Sequence, residues 1–294
     1  MQVFLCMKNI FVLFFIIPLI AGCQNFGALT IVSSLPNNLK EASGMEFLEG
    51  SDLMWIVLDA GNDATLYGVN AASEKVEKAI TISNAQNHDW EDLATDGKGN
   101  LYIGDFGNNN NKRENLAIYT VSNVLQIAGS TTEAIKTTFH YEDQQEFPPK
   151  RNERNFDAEA FIYINNYFYV FTRNRSSNFD GVTKLYKIPA QEGDFEAKLI
   201  GEYTVCKDSK DCQVTSATID YKTGTIALLT YNKVFLMSNY SEDYFFKGDI
   251  EEIRLGYRSQ LESLCFQDSE TLFMADERHG VEGGNIYSIT ITSQ

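Results

Sequence analysis

One short pattern recurs along this chain and limits what it can fold into. A strand begins just after an acidic or polar residue, turns back through a hairpin, and ends at another polar residue. The five strand starts are Ser43-Gly44-Met45, Glu91-Asp92-Leu93, Glu159-Ala160-Phe161, Ser216-Ala217-Thr218 and Glu262-Ser263-Leu264. A third strand and a further β-rich run follow in nearly every unit. About four strands per repeat of roughly 45–70 residues is typical of a β-propeller.

We therefore predict an all-β chain that forms a single β-propeller. Five four-stranded blades are expected, and six are the alternative, with the extra blade hidden in the stretch 126–154. The residues from Leu29 to Ser34 look like a strand, whereas the last unit ends without an outer strand. The N-terminal strand is therefore expected to complete the last blade, because closing the ring removes free sheet edges.

The N-terminal stretch has the pattern of an export signal. Lys8 precedes an apolar run that ends in Ile20-Ala21-Gly22-Cys23. Such a run is too short to remain as a membrane span, and its small-residue ending resembles the lipobox of bacterial lipoproteins. We expect a signal peptide at 1–22, a lipidated tether at 23–27 that starts at Cys23, and a propeller domain at 28–294. This predicts a protein of the bacterial cell envelope that is anchored to the membrane by lipid and faces the periplasm or the exterior; a plain secreted protein is the alternative.

Charge and cysteines narrow the possible partners. The net charge is −16, which argues against nucleic acid and against an anionic membrane surface, since both require a basic face. It is compatible with a divalent cation or with a cationic ligand or protein partner, and we expect a monomer. In an oxidising compartment Cys206 and Cys212 are expected to form a disulfide, and a zinc site is the less favoured alternative. Cys265 lies inside a strand pattern and is expected to be a small buried core residue.

The acidic residues at the strand starts and ends indicate a cation site. The first strands of propeller blades line the central channel, so these side chains should converge in one funnel. Close carboxylates raise one another's pKa values, which a cation relieves, and oxygen ligands with few histidines favour Ca²⁺. The candidate metal ligands are Glu41, Asp89, Glu91, Asp105, Asp157, Glu159, Glu262 and Asp276. Asp59 stands at the end of the returning strand of the first unit, as Asp105 and Asp276 do in theirs. Strand capping or pairing with Arg173, Arg175 and Arg278 is the alternative role for these acids.

Three further residues near the mouth are candidates for binding a substrate. Arg173 stands at the end of the returning strand of the third unit, where other units carry Asp59, Asp105 or Asp276. His88 and His279 flank the mouth. A histidine in such a position is a candidate general base. No nucleophilic triad and no phosphate-binding glycine loop stands out.

Several segments also resemble known families. EASGM, DWEDLATDGKGNLYIGDFGNN, NFDAEAF, VTSATIDYKTGTIALLTY and ESLCF are similar to strand motifs of the SdiA-regulated propellers and the phytase-like (esterase-like) propellers, and more distantly to NHL-repeat and gluconolactonase-type proteins. The resemblance implies a five-bladed propeller with a bound calcium ion at the EASG, WED, DAEA and LES positions. Phytase-type propellers also use lysines and arginines to hold phosphates, for which this chain offers chiefly Arg173. A lactonase needs Glu, Asn and Asp around one ion, and Glu91, Asn108 and Asp276 supply those residue types.

Two functions remain open from the sequence. The first is a calcium-stabilised binding or scaffold module at the envelope, which holds an unknown ligand or protein partner at its acidic mouth. The alternative is a metal-dependent hydrolase, either phosphoesterase-like (as in phytases) or lactonase-like. A fold that is reused this widely does not decide between them.

Overall fold

The computed structural model describes residues 25–280 and 282–291. The predicted signal peptide and Cys23 lie outside these ranges. Within them, no helix has the length and apolar character needed to cross a membrane.

The described chain is almost entirely β-structure. Its strands are β1 (Thr30–Ser34), β2 (Ala42–Phe47), β3 (Met54–Leu58), β4 (Thr65–Asn70), β5 (Lys75–Ile82), β6 (Trp90–Thr95), β7 (Leu101–Asp105), β8 (Leu116–Val121), β9 (Thr131–Thr132), β10 (Ile135–Tyr141), β11 (Asp157–Ile164), β12 (Tyr167–Arg173), β13 (Val182–Pro189), β14 (Gly193–Thr204), β15 (Val214–Asp220), β16 (Thr225–Thr230), β17 (Lys233–Ser238), β18 (Asp249–Arg254), β19 (Leu261–Asp268), β20 (Thr271–Asp276) and β21 (Asn285–Thr290). Short 3-10 helices lie at Val124–Gln126, Arg151–Glu153 and Phe245–Lys247.

The strands form antiparallel meanders of four. The hydrogen-bonded orders are β2-β3-β4-β5, β6-β7-β8-β10, β11-β12-β13-β14 and β15-β16-β17-β18. We number these units one to four; β19, β20, β21 and β1 form unit five. A parallel pairing of β10 with β14 joins the outer edges of units two and three. The stretch 126–154 contributes β9 to the edge of unit one and β10 to unit two, rather than a meander of its own.

Unit five is completed from the other end of the chain. Strand β1 runs antiparallel to β21, with Thr30 opposite Ser288 and Ser34 opposite Asn285. The N-terminal strand is therefore the outer strand of the last unit.

The five units pack around one centre. The first strands, β2, β6, β11, β15 and β19, contact one another in a closed ring in that order. An apolar cluster fills each space between neighbouring units. Trp55 and Trp90 belong to the cluster between units one and two, and Met45 and Cys265 to the one between units five and one. Fully burying one such side chain contributes about 1.5–3 kcal/mol. The arrangement is that of a β-propeller, in which alternating apolar residues of each strand serve the two faces of a blade-like sheet.

A β-bulge interrupts the first strand of every unit at the same place. Register shifts fall between Ala42 and Gly44, and at the corresponding points of β6, β11, β15 and β19. The bulged residues are Ser43, Glu91, Glu159, Thr215 and Glu262. A bulge re-aims one side chain without disturbing the alternation that follows it. In unit four the bulged residue is Thr215, so the sequence alignment that started this unit at Ser216 was wrong by one residue.

The hydroxyl-bearing bulges join neighbouring units. Ser43 Oγ donates to the carbonyl oxygen of Trp90 at 2.7 Å, and Thr215 Oγ1 donates to that of Leu261, also at 2.7 Å. Each acceptor is the residue just before the bulge of the next unit. The same geometry therefore couples units one to two and units four to five.

A single carboxyl group ties the first strands together at the centre. Asp92 is fully buried and accepts hydrogen bonds from the Phe161 amide (3.0 Å), the Ser216 hydroxyl (2.9 Å) and the Ala217 amide (3.3 Å). Burial raises the pKa of Asp92, and these donors oppose that rise. Gly44 packs so closely here that a Cβ would lie 2.4 Å from the Leu93 nitrogen. A side chain at position 44 would therefore force the first strands apart.

Three cysteines lie within the described ranges. Cys206 and Cys212 form a disulfide with a Cα–Cα distance of 5.2 Å. Cys265 is a free thiol, fully buried in the cluster between units five and one.

Candidate functional site

Acidic side chains gather at one end of the central channel. They come from the residues at or just before the bulges and from the ends of the second strands. We call this group the acidic funnel, and its members are Asp59, Asp89, Glu91, Asp157, Glu159, Glu262 and Glu277.

Three of these carboxylates form a compact cluster. Asp59, Asp89 and Glu91 each offer an oxygen, and these oxygens all lie within 4.8 Å of one another. Asn87 holds the units together beside the cluster: its side chain donates to the carbonyl of Asp59 at 2.9 Å and accepts from the Trp90 amide at 3.0 Å. We call these three residues the carboxylate triad.

A glycine allows the triad to pack this closely. A Cβ on Gly107 would lie 2.1 Å from Glu91 Oε1 and 2.5 Å from the Asp89 carboxyl carbon. The Asp-Phe-Gly end of the hairpin therefore brings backbone against the carboxylates, and any larger residue there would displace them.

The triad has no ion-pair partner in the part of the chain that the structure describes. Among the described residues, no lysine, arginine or histidine lies within ion-pair distance of Asp59, Asp89 or Glu91. Burial, followed by the charge of Asp59, raises the pKa of Asp89 to about 7, although Arg113 opposes the rise. Burial, followed by the charge of Glu159, raises the pKa of Glu91 well above its usual range. The folded chain thus disfavours three negative charges at this place unless a cation is added.

The neighbouring acids of unit three are neutralised. Arg175 contacts Asp157 at 2.6 Å and Glu159 at 2.7 Å. Arg173, which is itself buried, forms a second ion pair with Glu159. Asp157 also accepts a hydrogen bond from the Asn108 amide at 2.5 Å. The predicted alternative of pairing with arginines therefore describes these two acids.

A further pair of acids lies on the unit-five side. Burial, followed by the charge of Glu277, raises the pKa of Glu262 to about 8. Burial raises the pKa of Glu277 to about 7, a rise that its hydrogen bond with Glu262 opposes. Tyr231 donates to Glu262 at 3.4 Å and accepts a hydrogen bond from Arg173. Glu277 and Tyr231 were not among the predicted site residues.

Two predicted ligands lie on a different face. Asp105 is directly opposite Trp90, and Asp276 is directly opposite Leu261. Because directly opposed residues share one face of an antiparallel pair, both acids lie with the buried side chains between units. Asp105 contacts Arg113 at 2.8 Å and His88 Nδ1 at 3.1 Å. Asp276 accepts from the Asn285 amide at 2.8 Å and from the Tyr287 hydroxyl at 3.0 Å.

The remaining candidates lie at the rim. Glu41 is exposed and accepts from the Asn62 side chain at 2.8 Å. His88 is exposed and turned toward Asp105. His279 is also exposed, and its backbone bridges to Glu282.

The position of the bulge shows which residues at the ends of the second strands face the funnel. In unit three, Arg173 is opposite Asp157, which lies two residues before the bulge. The Asp59 amide donates to Glu41, and the Glu277 amide donates to Gln260. Asp59 and Glu277 therefore occupy the equivalent position in units one and five. The sequence prediction had Asp276 in place of Glu277. A one-residue slip moves a side chain to the other face of a strand, so Asp276 was predicted to lie in the funnel although its side chain lies in the core.

The fold and the site together define a β-propeller protein with an acidic, oxygen-rich funnel. No protein-family model matches the chain, and no curated protein matches it. Among solved structures, the chain is similar to the PQQ-bound aldose sugar dehydrogenase (Adh) from Streptomyces coelicolor, with 10% identity and a TM-score of 0.44, over 89% of this chain and 97% of that one. The cofactor and the substrate in that title belong to that protein.

Proposed function

We propose that this chain is a five-bladed β-propeller, anchored to the bacterial envelope by a lipid on Cys23, that holds Ca²⁺ in its acidic funnel. Its role is that of a binding or scaffold module for a partner at the funnel mouth. Five meanders in a closed ring support the blade number. The motif resemblance to SdiA-regulated and phytase-like propellers supports both the ring and the ion.

The contrast within the funnel carries the proposal for a cation. Asp157 and Glu159 each have arginine partners, whereas the carboxylate triad of Asp59, Asp89 and Glu91 lies together with none among the described residues. If the acids served only to form ion pairs, the triad would also be expected to have cationic partners; of the three, Asp59 accepts a hydrogen bond from the Ala60 amide at 2.5 Å. A bound cation explains the difference.

The ligand chemistry favours calcium. The triad offers only carboxylate oxygens, and Ca²⁺ takes about 6–8 oxygen ligands in flexible geometry. Zinc prefers histidine and cysteine, and His88 is occupied with Asp105. Bidentate carboxylates, nearby backbone carbonyls and water would complete the shell.

The state of the arginines supports binding rather than turnover. Arg173 and Arg175 are both held by Glu159, and Arg175 also by Asp157. A phosphoester substrate would therefore have to displace existing ion pairs to reach a cation. Catalysis requires substrate-orienting groups that are free to engage.

One observation favours the alternative of a metal-dependent hydrolase. Glu262 and Glu277, whose pKa values are raised to about 8 and about 7, are side by side in the funnel with the triad. Carboxyl groups that titrate near neutral pH suit general acid–base catalysis beside a metal. In that case Glu262 would hold or release the proton that a metal-activated water exchanges.

Titration calorimetry with Ca²⁺ tests the cation site. The wild type should bind one ion, and Glu91→Gln should lose most of that affinity. Glu133→Gln, which changes an exposed glutamate between β9 and β10, is the matched control and should bind as the wild type does. Equal binding by all three proteins would refute the triad as the site.

An activity panel separates the two functions. Phosphoesters, esters and lactones are assayed with Ca²⁺ and with chelator. A scaffold should turn over none of them. Turnover that is lost on chelation, in Glu91→Gln and in Glu262→Gln would establish the hydrolase instead.

Lipid labelling tests the anchor. Palmitate should label the wild type expressed in a bacterial host, and the Cys23→Ala variant should remain unlabelled. Equal labelling of both would show that Cys23 is not the lipidated residue.

A further inference from the structure

The opposite end of the ring holds a second cavity. Its volume is about 900 Å³, and it lies where the first strands end, so the full length of those strands separates it from the acidic funnel. It is formed by the last residues of β2, β6, β15 and β19 and by the turns that follow them. The fully buried Asp92 and its hydrogen bonds lie between the two ends.

A buried carboxyl group lies at the wall of this cavity. Glu46, in β2, is only 4% exposed yet lines the cavity. Thr218, on β15 across the channel, donates its hydroxyl to Glu46 Oε1 at 3.2 Å. None of the described lysines, arginines or histidines forms an ion pair with Glu46. A carboxylate this deeply buried is costly without a positive partner.

The cavity combines negative charge with apolar surface. Its other acids are Glu49, Asp52, Asp220 and Asp268, and among the described lining residues Lys222 is the single cation. The apolar lining includes Phe47, Phe266, Phe273 and Tyr221. Tyr221 is 42% exposed and Val32 is 39% exposed. Such a lining excludes anionic ligands and leaves apolar surface for the body of a bound molecule.

We propose that this cavity binds a small organic cation: a protonated amine whose ammonium group pairs with Glu46 and whose apolar body contacts the aromatic lining. The ammonium supplies the positive partner that Glu46 lacks. The aromatic faces favour such a cation further. A bare metal ion fits less well, because a single buried carboxyl and a threonine hydroxyl provide too few oxygen ligands for it.

This site is independent of the proposed calcium site. The triad residues Asp59, Asp89 and Glu91 belong to the opposite end of the first strands, and none of them lines this cavity. A failure of one proposal therefore leaves the other standing.

Calorimetry with three matched probes tests the amine site. Hexylammonium, hexanol and hexanoate share one apolar chain and differ in the head group. The wild type should bind hexylammonium and should bind hexanol at least about tenfold more weakly, a difference of about 1.4 kcal/mol. Hexanoate should not bind measurably.

Variants place the ammonium on Glu46. Glu46→Gln should reduce hexylammonium affinity by about tenfold or more, to the level of hexanol. Glu49→Gln, at the exposed rim of the same cavity, should change it little, and Glu91→Gln not at all. Equal affinity of the wild type for hexylammonium and hexanol, or no binding of hexylammonium, would overturn the proposal, even if Glu46→Gln failed to fold.

Discussion

Replacing Glu91 with glutamine should have opposite consequences with and without calcium. Glutamine keeps the volume of the side chain but removes its charge. In calcium, the substitution removes one of the three carboxylates of the triad. Without calcium, it removes a carboxyl group whose pKa is raised by burial and by the charge of Glu159. The folded chain then no longer has to bury that charge or to take up a proton in its place.

The size of the calcium effect follows from mass action. An ion that binds the folded chain and not the unfolded chain, at about a hundredfold excess over its Kd, stabilises the fold by about 2.7 kcal/mol. For a domain of this size, that raises the Tm by roughly 5–10 °C. Glu91→Gln should lose most of this gain. In chelator its Tm should equal or exceed that of the wild type.

Asp157→Asn provides the contrasting variant. Asp157 is fully buried, contacts Arg175 at 2.6 Å and accepts the Asn108 amide. Breaking such a buried pair costs about 3–5 kcal/mol. The loss should be equal in calcium and in chelator, because it does not pass through the ion.

Scanning calorimetry of the three proteins in both buffers is the measurement. The wild type and Asp157→Asn should both gain stability in calcium, and Glu91→Gln should gain little. If Glu91→Gln is destabilised by the same amount in both buffers, then Glu91 has a structural role and the triad does not hold the ion. If no protein responds to calcium, the cation proposal fails as a whole.

Three further outcomes follow from the structure. The pKa values of Asp89 and Glu277 are raised to about 7 from below 5, so the stability that these two groups contribute is full below their unfolded pKa values and is lost as pH rises through 7. The Tm in chelator should therefore fall between pH 5 and pH 8, while the gain from calcium grows. A flat Tm in chelator would contradict this. Asp92→Ala leaves three buried donors without their acceptor and should cost about 3 kcal/mol or more in urea unfolding, and a loss below about 1 kcal/mol would show that Asp92 does not tie the ring. Deleting β1 uncovers β21 and should cost several kcal/mol by the same assay, whereas an unchanged midpoint would show that closure contributes nothing.

Hydrophobic alternation made the strands and their grouping predictable. A hairpin was expected after each of the five strand starts, and the one that begins at Glu91-Asp92-Leu93 is found as β6 at Trp90–Thr95 and β7 at Leu101–Asp105. The N-terminal strand was expected from Leu29 to Ser34 and is found at Thr30–Ser34, paired with β21. These features depend on the alternation of apolar and polar residues along a strand and on the residues that form turns. Both can be read from a single sequence.

The bulges explain why the site was harder to predict. An extra residue at Glu91 or Glu262 reverses which side chain faces the channel, and nothing in the local composition marks it. For this reason Asp276 was expected in the funnel where the structure has Glu277. In unit four, Thr215 stands where units two, three and five have a bulged glutamate, and the alignment was set one residue too late there.

The sequence also does not show which acidic residues form ion pairs. Asp157 and Glu159 look the same as Asp89 and Glu91 in the chain, each pair being two acids two residues apart. Arg175 distinguishes them, because it reaches back across its own hairpin to neutralise the pair in unit three. Only the fold shows which acids have a counter-charge.

The partnership of β1 with β21 also sets an order of events in time. Among the strands that the structure describes, β1 is made first and its partner β21 is made last. Until the final strand is made, β1 has no edge to pair with, and the unit-one and unit-four faces that will pack on unit five are uncovered. Contacts that span nearly the whole chain form slowly, because the loop they close is long. An incomplete chain is therefore an open arc with exposed edges that can pair with other chains, and it becomes a closed, protected ring only when its two ends meet.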